Sequence, residues 1–278
     1  MAKRVLAVLA VAAVAAAGAS VPAGAEEQWP APGYQSVQPQ PGNPLPELVS
    51  GYWFRTVEVR ALQDDDFENP GFLWVERGAE LWNTKAGEAG KSCADCHGAA
   101  EESMKGVGAS YPKWNAELGK PVNLEMRINL CRERNQKAEP WKWESDELLA
   151  MTTYVKYQSR GMPMKIDISG PMQEWWERGK EAYYKRRGQL GMSCAHCHET
   201  YWGHKLRADT LSQGHINGFP TYRLKWQKIG SLHRRFRGCE EDIRANSSPY
   251  GDDEYLALEV YLSWRGEGLP IETPSVRQ

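Results

Sequence analysis

Two pentapeptides carry residue types that bind a redox cofactor: Cys93-Ala94-Asp95-Cys96-His97 and Cys194-Ala195-His196-Cys197-His198. Each reads Cys-x-x-Cys-His, the pattern that attaches c-type haem. The two thiols add across the two vinyl groups, and the two-residue spacer places both sulfurs along one edge of the macrocycle. The following His then lies under the iron and offers it an imidazole nitrogen. The competing readings are a thioredoxin-like dithiol and half of a zinc site. A dithiol does not need the trailing His. A zinc site needs a second ligand pair, which the isolated Cys131 and Cys239 do not make. The sequence therefore predicts two covalently attached haems, one through Cys93 and Cys96, the other through Cys194 and Cys197, with His97 and His198 as axial ligands.

The second axial ligand separates an electron carrier from a catalyst. Met is the usual distal ligand of small cytochromes c and raises the potential. Met104 lies too close to the first motif, Met151 falls inside the last helix expected of the first unit, and Met162 and Met164 follow that helix. Cys131 lies 38 residues after Cys93, and Cys239 lies 45 after Cys194. Both positions are expected in distal loops, and both hold the spare thiols. In an oxidising compartment the two could form a disulfide. Their equivalent placement favours thiolate ligation to iron, which lowers the potential. For the second haem His204, His215 and His233 compete, each more simply read as a hydrogen-bonding or surface residue.

A basic run singles out the second motif. Arg223, Lys225, Lys228, Arg234, Arg235 and Arg237 precede Cys239, whereas near Cys131 the pair Arg132 and Arg134 is balanced by Glu133. Guanidinium forks hold small oxyanions bidentately, and cations activate a neighbouring thiol. The alternative is a solvated face, but Tyr222, Trp226 and Phe236 interleave with the charges, so part of the run is expected to be buried. An oxyanion beside a Cys and a haem points to oxidative sulfur chemistry.

These residues need elements to hold them. Residues 1–25 read as a cleavable export signal: Lys3 and Arg4, then an Ala/Val/Leu run too short to span a bilayer, then Ala23-Gly24-Ala25. No later stretch reads as a membrane span, and the expected location is the periplasm. Residues 26–50, rich in Pro, Gln and Gly, read as an extended arm. Removing the signal takes the formal charge from −2 to near −4, a mild balance that argues against a nucleic-acid binder. The 12 Trp suit pockets that wrap planar cofactors.

Two copies of one unit follow, expected over 51–168 and 169–278. At an offset of 101, Pro70, Trp74, Arg77, Gly78 and the first haem motif match Pro171, Trp175, Arg178, Gly179 and the second. At an offset of 107, Leu149, Tyr154, Gly161 and Pro163 match Leu256, Tyr261, Gly268 and Pro270. Each copy predicts a first helix starting at Pro70 or Pro171 and a last helix with acids in its first turn, stopped by Gly161 or Gly268. Gly78 and Gly179 would let the two helices cross closely. The fold class is mainly α: two tandem units, related by internal duplication, that resemble the class I cytochrome c fold.

Over about Gly51 to Pro270 the chain resembles the SoxA family, the dihaem subunits of the SoxAX cytochromes of bacterial thiosulfate oxidation. The resemblance rests on both haem motifs, Cys131, the stretch Gly203-His204-Lys205 to Asn217-Gly218-Phe219-Pro220, and Arg234-Arg235-Phe236-Arg237-Gly238-Cys239. It implies that Cys131 and Cys239 are the distal ligands of the first and second haems. It further implies that Cys239 is the catalytic Cys, carried as a persulfide, and that Arg235 binds substrate. The implied reaction joins thiosulfate to a Cys of a SoxYZ-like carrier and passes two electrons to a cytochrome c acceptor. The implied partner is a SoxX-like monohaem cytochrome forming a heterodimer. The rival functions are a dihaem electron-transfer cytochrome and a thiosulfate dehydrogenase that forms tetrathionate.

Overall fold

The computed structural model describes residues 28–278, so the export signal expected over 1–25 lies outside the described residues. The helices, in chain order, are α1 (Val57–Asp64), α2 (Phe72–Asn83), α3 (Ala94–His97), α4 (Ala100–Ser103), α5 (Leu124–Cys131), α6 (Asp146–Tyr157), α7 (Met172–Tyr184), α8 (Leu232–Asp242) and α9 (Asp253–Arg265). No helix among the described residues is long and apolar enough to cross a membrane.

Two crossed helix pairs dominate the packing, α2 on α6 and α7 on α9. Each cross is made at a glycine. A Cβ on Gly78 would stand 2.4 Å from the Ala150 carbonyl oxygen, and one on Gly179 1.9 Å from that of Ala257. The helices therefore touch backbone to backbone, which only glycine permits. The α2–α6 core gathers Val75, Trp82, Met151, Tyr154 and Val155. The larger α7–α9 core holds Trp175, Tyr183, Tyr255, Leu256 and Tyr261. Helices α6 and α9 are buried over most of their circumference rather than on one face.

The helix limits differ slightly from those expected. Pro70 precedes the α2 cap at Gly71, and Pro171 is itself the α7 cap. The last helices stop at Tyr157 and Arg265, a few residues short of Gly161 and Gly268. Those glycines instead carry positive φ in the turns beyond. Ser145 and Asp252 cap α6 and α9 through their side chains.

Each half also builds a hairpin that leads into a third helix. Lys113–Asn115 pairs with Lys120–Val122 before α5, and Thr221–Arg223 pairs with Lys228–Gly230 before α8. Asn123 and Ser231 cap these helices by accepting from Met126 N and Arg234 N. The strand Ser275–Arg277 joins the second hairpin in parallel. Helix α1 docks on that strand: Val59, Tyr222 and Val276 form one apolar cluster, and Val276 N donates to Gln63 Oε1 at 3.0 Å. Residues 51–64, expected with the first unit, thus pack on the second. Residues 28–50 do the same, with Leu45 and Leu48 against Leu269, and Val49 N donating to Gln213 Oε1 at 2.8 Å.

Candidate functional site

Both Cys-x-x-Cys-His motifs open with a serine bonded to the side chain three residues on, reciprocally in the first motif only. In the first, Ser92 N donates to Asp95 Oδ2 at 2.8 Å and Asp95 N to Ser92 Oγ at 3.1 Å. In the second, Ser193 N and Oγ both lie against His196 Nδ1, at 3.1 and 2.7 Å. His196 is thereby used as a cap.

The motif loops are tied to the ends of the helices that carry the spare cysteines. Ala89 N donates to Gln136 O at 3.1 Å and Glu88 N to Lys137 O at 3.2 Å, just beyond α5. In the second half Leu190 N and Gln189 N donate to Ile243 O and Arg244 O, just beyond α8. Gly87 and Gly188, both at φ +64, make this approach possible, since a Cβ would stand 2.1 and 2.2 Å from the Gln136 and Ile243 oxygens. Each loop thus fixes the attachment motif relative to the opposite Cys. Sequence reasoning passed over these glycines, although they obey the same offset of 101 as the motifs they precede.

Cys131 and Cys239 lie on helices, not in the distal loops expected of them. Cys131 is the last residue of α5, and Cys239 sits near the end of α8. All six cysteines are free, so the disulfide reading fails: Cys131 and Cys239 each face the haem motif of their own half. Burial, and then the nearby Cys131, pushes the Cys93 thiol up to about 11. Burial and Cys239 push Cys194 up to about 12.

The proximal histidines differ. His198 donates from Nδ1 to the Ser212 carbonyl at 2.7 Å, leaving Nε2 as the free acceptor. Gly214, at φ +74, backs this ring: a Cβ there would meet His198 Cγ at 2.7 Å. Burial holds His198 down to about 4, with Arg235 and Arg265 acting the same way, so its imidazole is neutral and able to ligate a metal. The fully buried Arg265 locks the arrangement by donating to the carbonyls of Gln213 and His198. His97 is exposed, with Trp82 tilted against it at 5.8 Å. The other histidines are engaged elsewhere. His204 is exposed, His215 bonds Gln213 at 3.0 Å, and His233 stacks on Trp143 at 5.0 Å.

These donor sets fit c-type haem. Each half presents two free thiols at the attachment spacing, a following His, and a Cys on the facing helix, with apolar and aromatic neighbours such as Tyr111, Trp141 and Met104 near Cys93 and Phe236 near Cys194.

The basic run divides into separate tasks. Lys228 pairs with Asp146 at 2.8 Å; Arg234 pairs with Glu144 and lies 4.4 Å from the Trp226 ring; Arg237 donates to the Ser248 carbonyl. The guanidinium of Arg235, half-buried and one turn before Cys239, makes no hydrogen bond or ion pair with any described residue. Its charge acts on Cys197, His198, Arg55, Arg223 and Lys225. Behind it, burial lowers both Arg55 and Arg223 to about 10, and neighbouring guanidiniums push the same way. Asp209, 3.5 Å from Arg223, and Asp242 are the acids set against them. The result is a cluster of guanidiniums around Cys239 with one uncommitted fork. Arg55 escaped sequence reasoning because it is far away in the chain. Near Cys131 the balance also differs from that expected: Arg134 pairs with Glu117 rather than Glu133, and Arg132 lies over Trp141 at 3.7 Å.

A family model described as the SoxA/TsdA cytochrome c domain matches residues 77–164. The chain is 54% identical over 238 residues to the L-cysteine S-thiosulfotransferase subunit SoxA of Pseudaminobacter salicylatoxidans, covering 85% of this chain and 83% of that one. It is 43% identical over 283 residues to the subunit of the same name from Rhodovulum sulfidophilum, covering 100% and 99%. The crystal structure of SoxXA from P. pantotrophus matches with a TM-score of 0.84 at 42% identity, covering 88% of this chain and 93% of that one.

Proposed function

The chain belongs to the SoxA family, and from that membership we infer that it is a cytochrome subunit that joins thiosulfate oxidatively to a cysteine thiol in bacterial sulfur oxidation. The observation that carries the assignment of the site is Arg235, an uncommitted guanidinium one helical turn from Cys239 in a cluster of guanidiniums.

The site residues are assigned by their surroundings. Cys93 with Cys96 and Cys194 with Cys197 would attach two haems, and His97 with Cys131 and His198 with Cys239 would hold their irons. The two units are tandem copies, which the matched crossing glycines, serine-opened motifs and loop-to-helix bonds support. The segment before Gly51 serves as an arm. When bound, the haems supply one-electron acceptance. The chain's own residues do the rest. Ser212 and Gly214 orient His198. Arg235 holds the sulfonate end of thiosulfate through its planar fork. Arg55 and Arg223 add positive field from behind, favouring a dianion. The outer sulfur of thiosulfate then faces Cys239.

The conjugation balances as thiolate plus thiosulfate giving an S-thiosulfonate and two electrons. One new S–S bond forms, and the electrons leave to a cytochrome c acceptor. Cys239, cycling as a persulfide, would bond to the outer sulfur of thiosulfate as the two electrons leave, and the incoming thiolate would then take the whole thiosulfonate group and release the persulfide. A SoxYZ-like protein supplies that thiolate, and a SoxX-like cytochrome is the heterodimer partner. The setting is the periplasm, where exported haem proteins of this kind are assembled.

The test is to incubate the haem-loaded complex with thiosulfate, a carrier thiol and oxidised cytochrome c, and to follow the carrier by mass spectrometry. The expected product is a carrier S-thiosulfonate, absent with Cys239→Ser. Unchanged product formation by a folded, fully loaded Cys239→Ser variant would remove Cys239 from the reaction.

A further inference from the structure

A group of ionisable side chains lies where the two halves meet, outside the conjugation site. Glu125 opens α5, Lys156 nearly closes α6, and Glu259 sits within α9; all three line one narrow cavity with Tyr111, Thr152 and Ser263. His233, at the start of α8, adjoins them through Glu259. Its Nε2 lies 3.3 Å from Glu259 Oε2. Gly251 N donates to His233 Nδ1 at 3.1 Å, which leaves Nε2 on the Glu259 side, buried and without a hydrogen-bond partner. Asn123 Nδ2 donates to the same Glu259 oxygen at 3.1 Å.

The group is deeply placed and under-neutralised. Glu125 is 7% exposed and His233 1%. Thr152 Oγ1 is buried without a partner. The charged groups facing the cavity are two carboxylates and one lysine, with His233 and Tyr111 beside them. Two carboxylates sharing a poorly solvated space cannot both ionise cheaply, so one proton stays with the pair. Burial first, and Glu259 second, push Glu125 up to about 7; burial pulls Lys156 down while both acids support its charge.

The location gives the cluster its use. Cys131 lies six residues along α5 from Glu125, and Cys239 six along α8 from His233. At about 1.5 Å rise per residue, each axial-ligand position is on the order of 9 Å along its helix from this group. Partly buried charges at that range are screened only weakly. Both helices that bring a thiol to iron therefore begin at one proton-holding seam.

We propose that the Glu125–Glu259 pair, supported by His233 and Lys156, is a redox-linked proton site that gains a proton from solvent when an electron is delivered to the haems and returns it when that electron leaves. The balance is one negative charge in and one proton in, then both out. The conjugation supplies both partners, because a thiol joined to thiosulfate releases one proton and two electrons. The inference rests on the haem assignments above and not on the identity of the substrate.

The experiment is a redox titration of the haem-loaded SoxAX-type complex at a series of pH values through the neutral range, without thiosulfate or carrier. The expected result is a midpoint potential that falls as pH rises, because the protonated pair favours the extra electron. Glu125→Gln and Glu259→Gln should flatten that dependence with both haems retained. A pH-independent potential in the wild-type complex, or an undiminished slope in both loaded variants, would overturn the proposal. Should either Gln variant fail to fold, redox-difference infrared spectra of the wild type decide it. A carboxylic-acid C=O band must grow on reduction and shift in Glu125→Asp; its absence overturns the proposal. No thiosulfate is present, so failure of the conjugation assay and failure of this one are separate results.

Discussion

Arg235 and Arg132 share a side chain and differ in what surrounds them. Arg132 is spent on Trp141 and the Glu139 carbonyl, whereas the Arg235 guanidinium has no partner among the described residues. Arg235→Lys keeps the charge and loses the planar fork. Loss of one hydrogen bond to a charged group costs about 1.5–3 kcal/mol, a roughly ten- to hundredfold drop in kcat/KM for thiosulfate. Both haems should stay attached, and Arg132→Lys should be near wild type; equal kinetics for the two variants would take the sulfonate clamp away from Arg235. The proximal side has its own single-residue test. Gly214→Ala puts a methyl group 2.7 Å from His198 Cγ at a backbone φ of +74°. Its visible spectrum should show a displaced axial ligand, while Gly90→Ala, at φ +58° with nothing near the added atom, should keep the wild-type spectrum. The cysteines and histidines proposed to hold the haems stand out in the sequence as residue types at a spacing. The carbonyl of Ser212, which turns His198, does not, because a main-chain acceptor has no sequence signature.

At the scale of elements, the crossing glycines were readable because they repeat at the same offset as the haem motifs. Their reason is visible only in the close approach of α7 to the Ala257 carbonyl. Gly179→Ala should therefore act as overpacking, costing roughly 1–3 kcal/mol or more and lowering Tm by several degrees. A wild-type Tm would mean that α7 and α9 do not cross there. The helices bearing Cys131 and Cys239 were harder to see. The sequence of α8, Leu-His-Arg-Arg-Phe-Arg-Gly-Cys-Glu-Glu-Asp, is mostly charged and holds a glycine, a poor helix former. Its helix is made by Ser231 at the cap and by Leu232 and His233 buried at its first turn. Hairpins of three-residue strands carry too little pattern to be read from sequence, yet they lead into both helices that carry Cys131 and Cys239.

For the whole molecule, the two halves are joined by the α1 strap and by the buried acid cluster, and the second of these makes stability depend on pH. Glu125 in the folded chain holds its proton up to about 7, above its ordinary value of 4.5, because of burial and then Glu259. The folded state therefore binds the proton more tightly than the unfolded state. The stabilisation is full below the ordinary value and is lost as pH rises through the neutral range. Denaturant midpoints should fall from acidic to alkaline pH, and fall less in Glu125→Gln; parallel curves would show that Glu125 is not the titrating group. The arm and strap run onto the second half because Leu48, Val59 and their neighbours find apolar partners there, a long-range choice that local composition cannot display. The account as a whole turns on a chain that conjugates rather than one that only carries electrons or couples two thiosulfates. The most direct measurement is reduction of cytochrome c by the haem-loaded complex with thiosulfate, in the presence and absence of a SoxYZ-like carrier thiol. The expected result is sustained reduction only with the carrier, with two electrons delivered per S-thiosulfonate formed on it. Sustained reduction with thiosulfate alone, accompanied by tetrathionate, would contradict it.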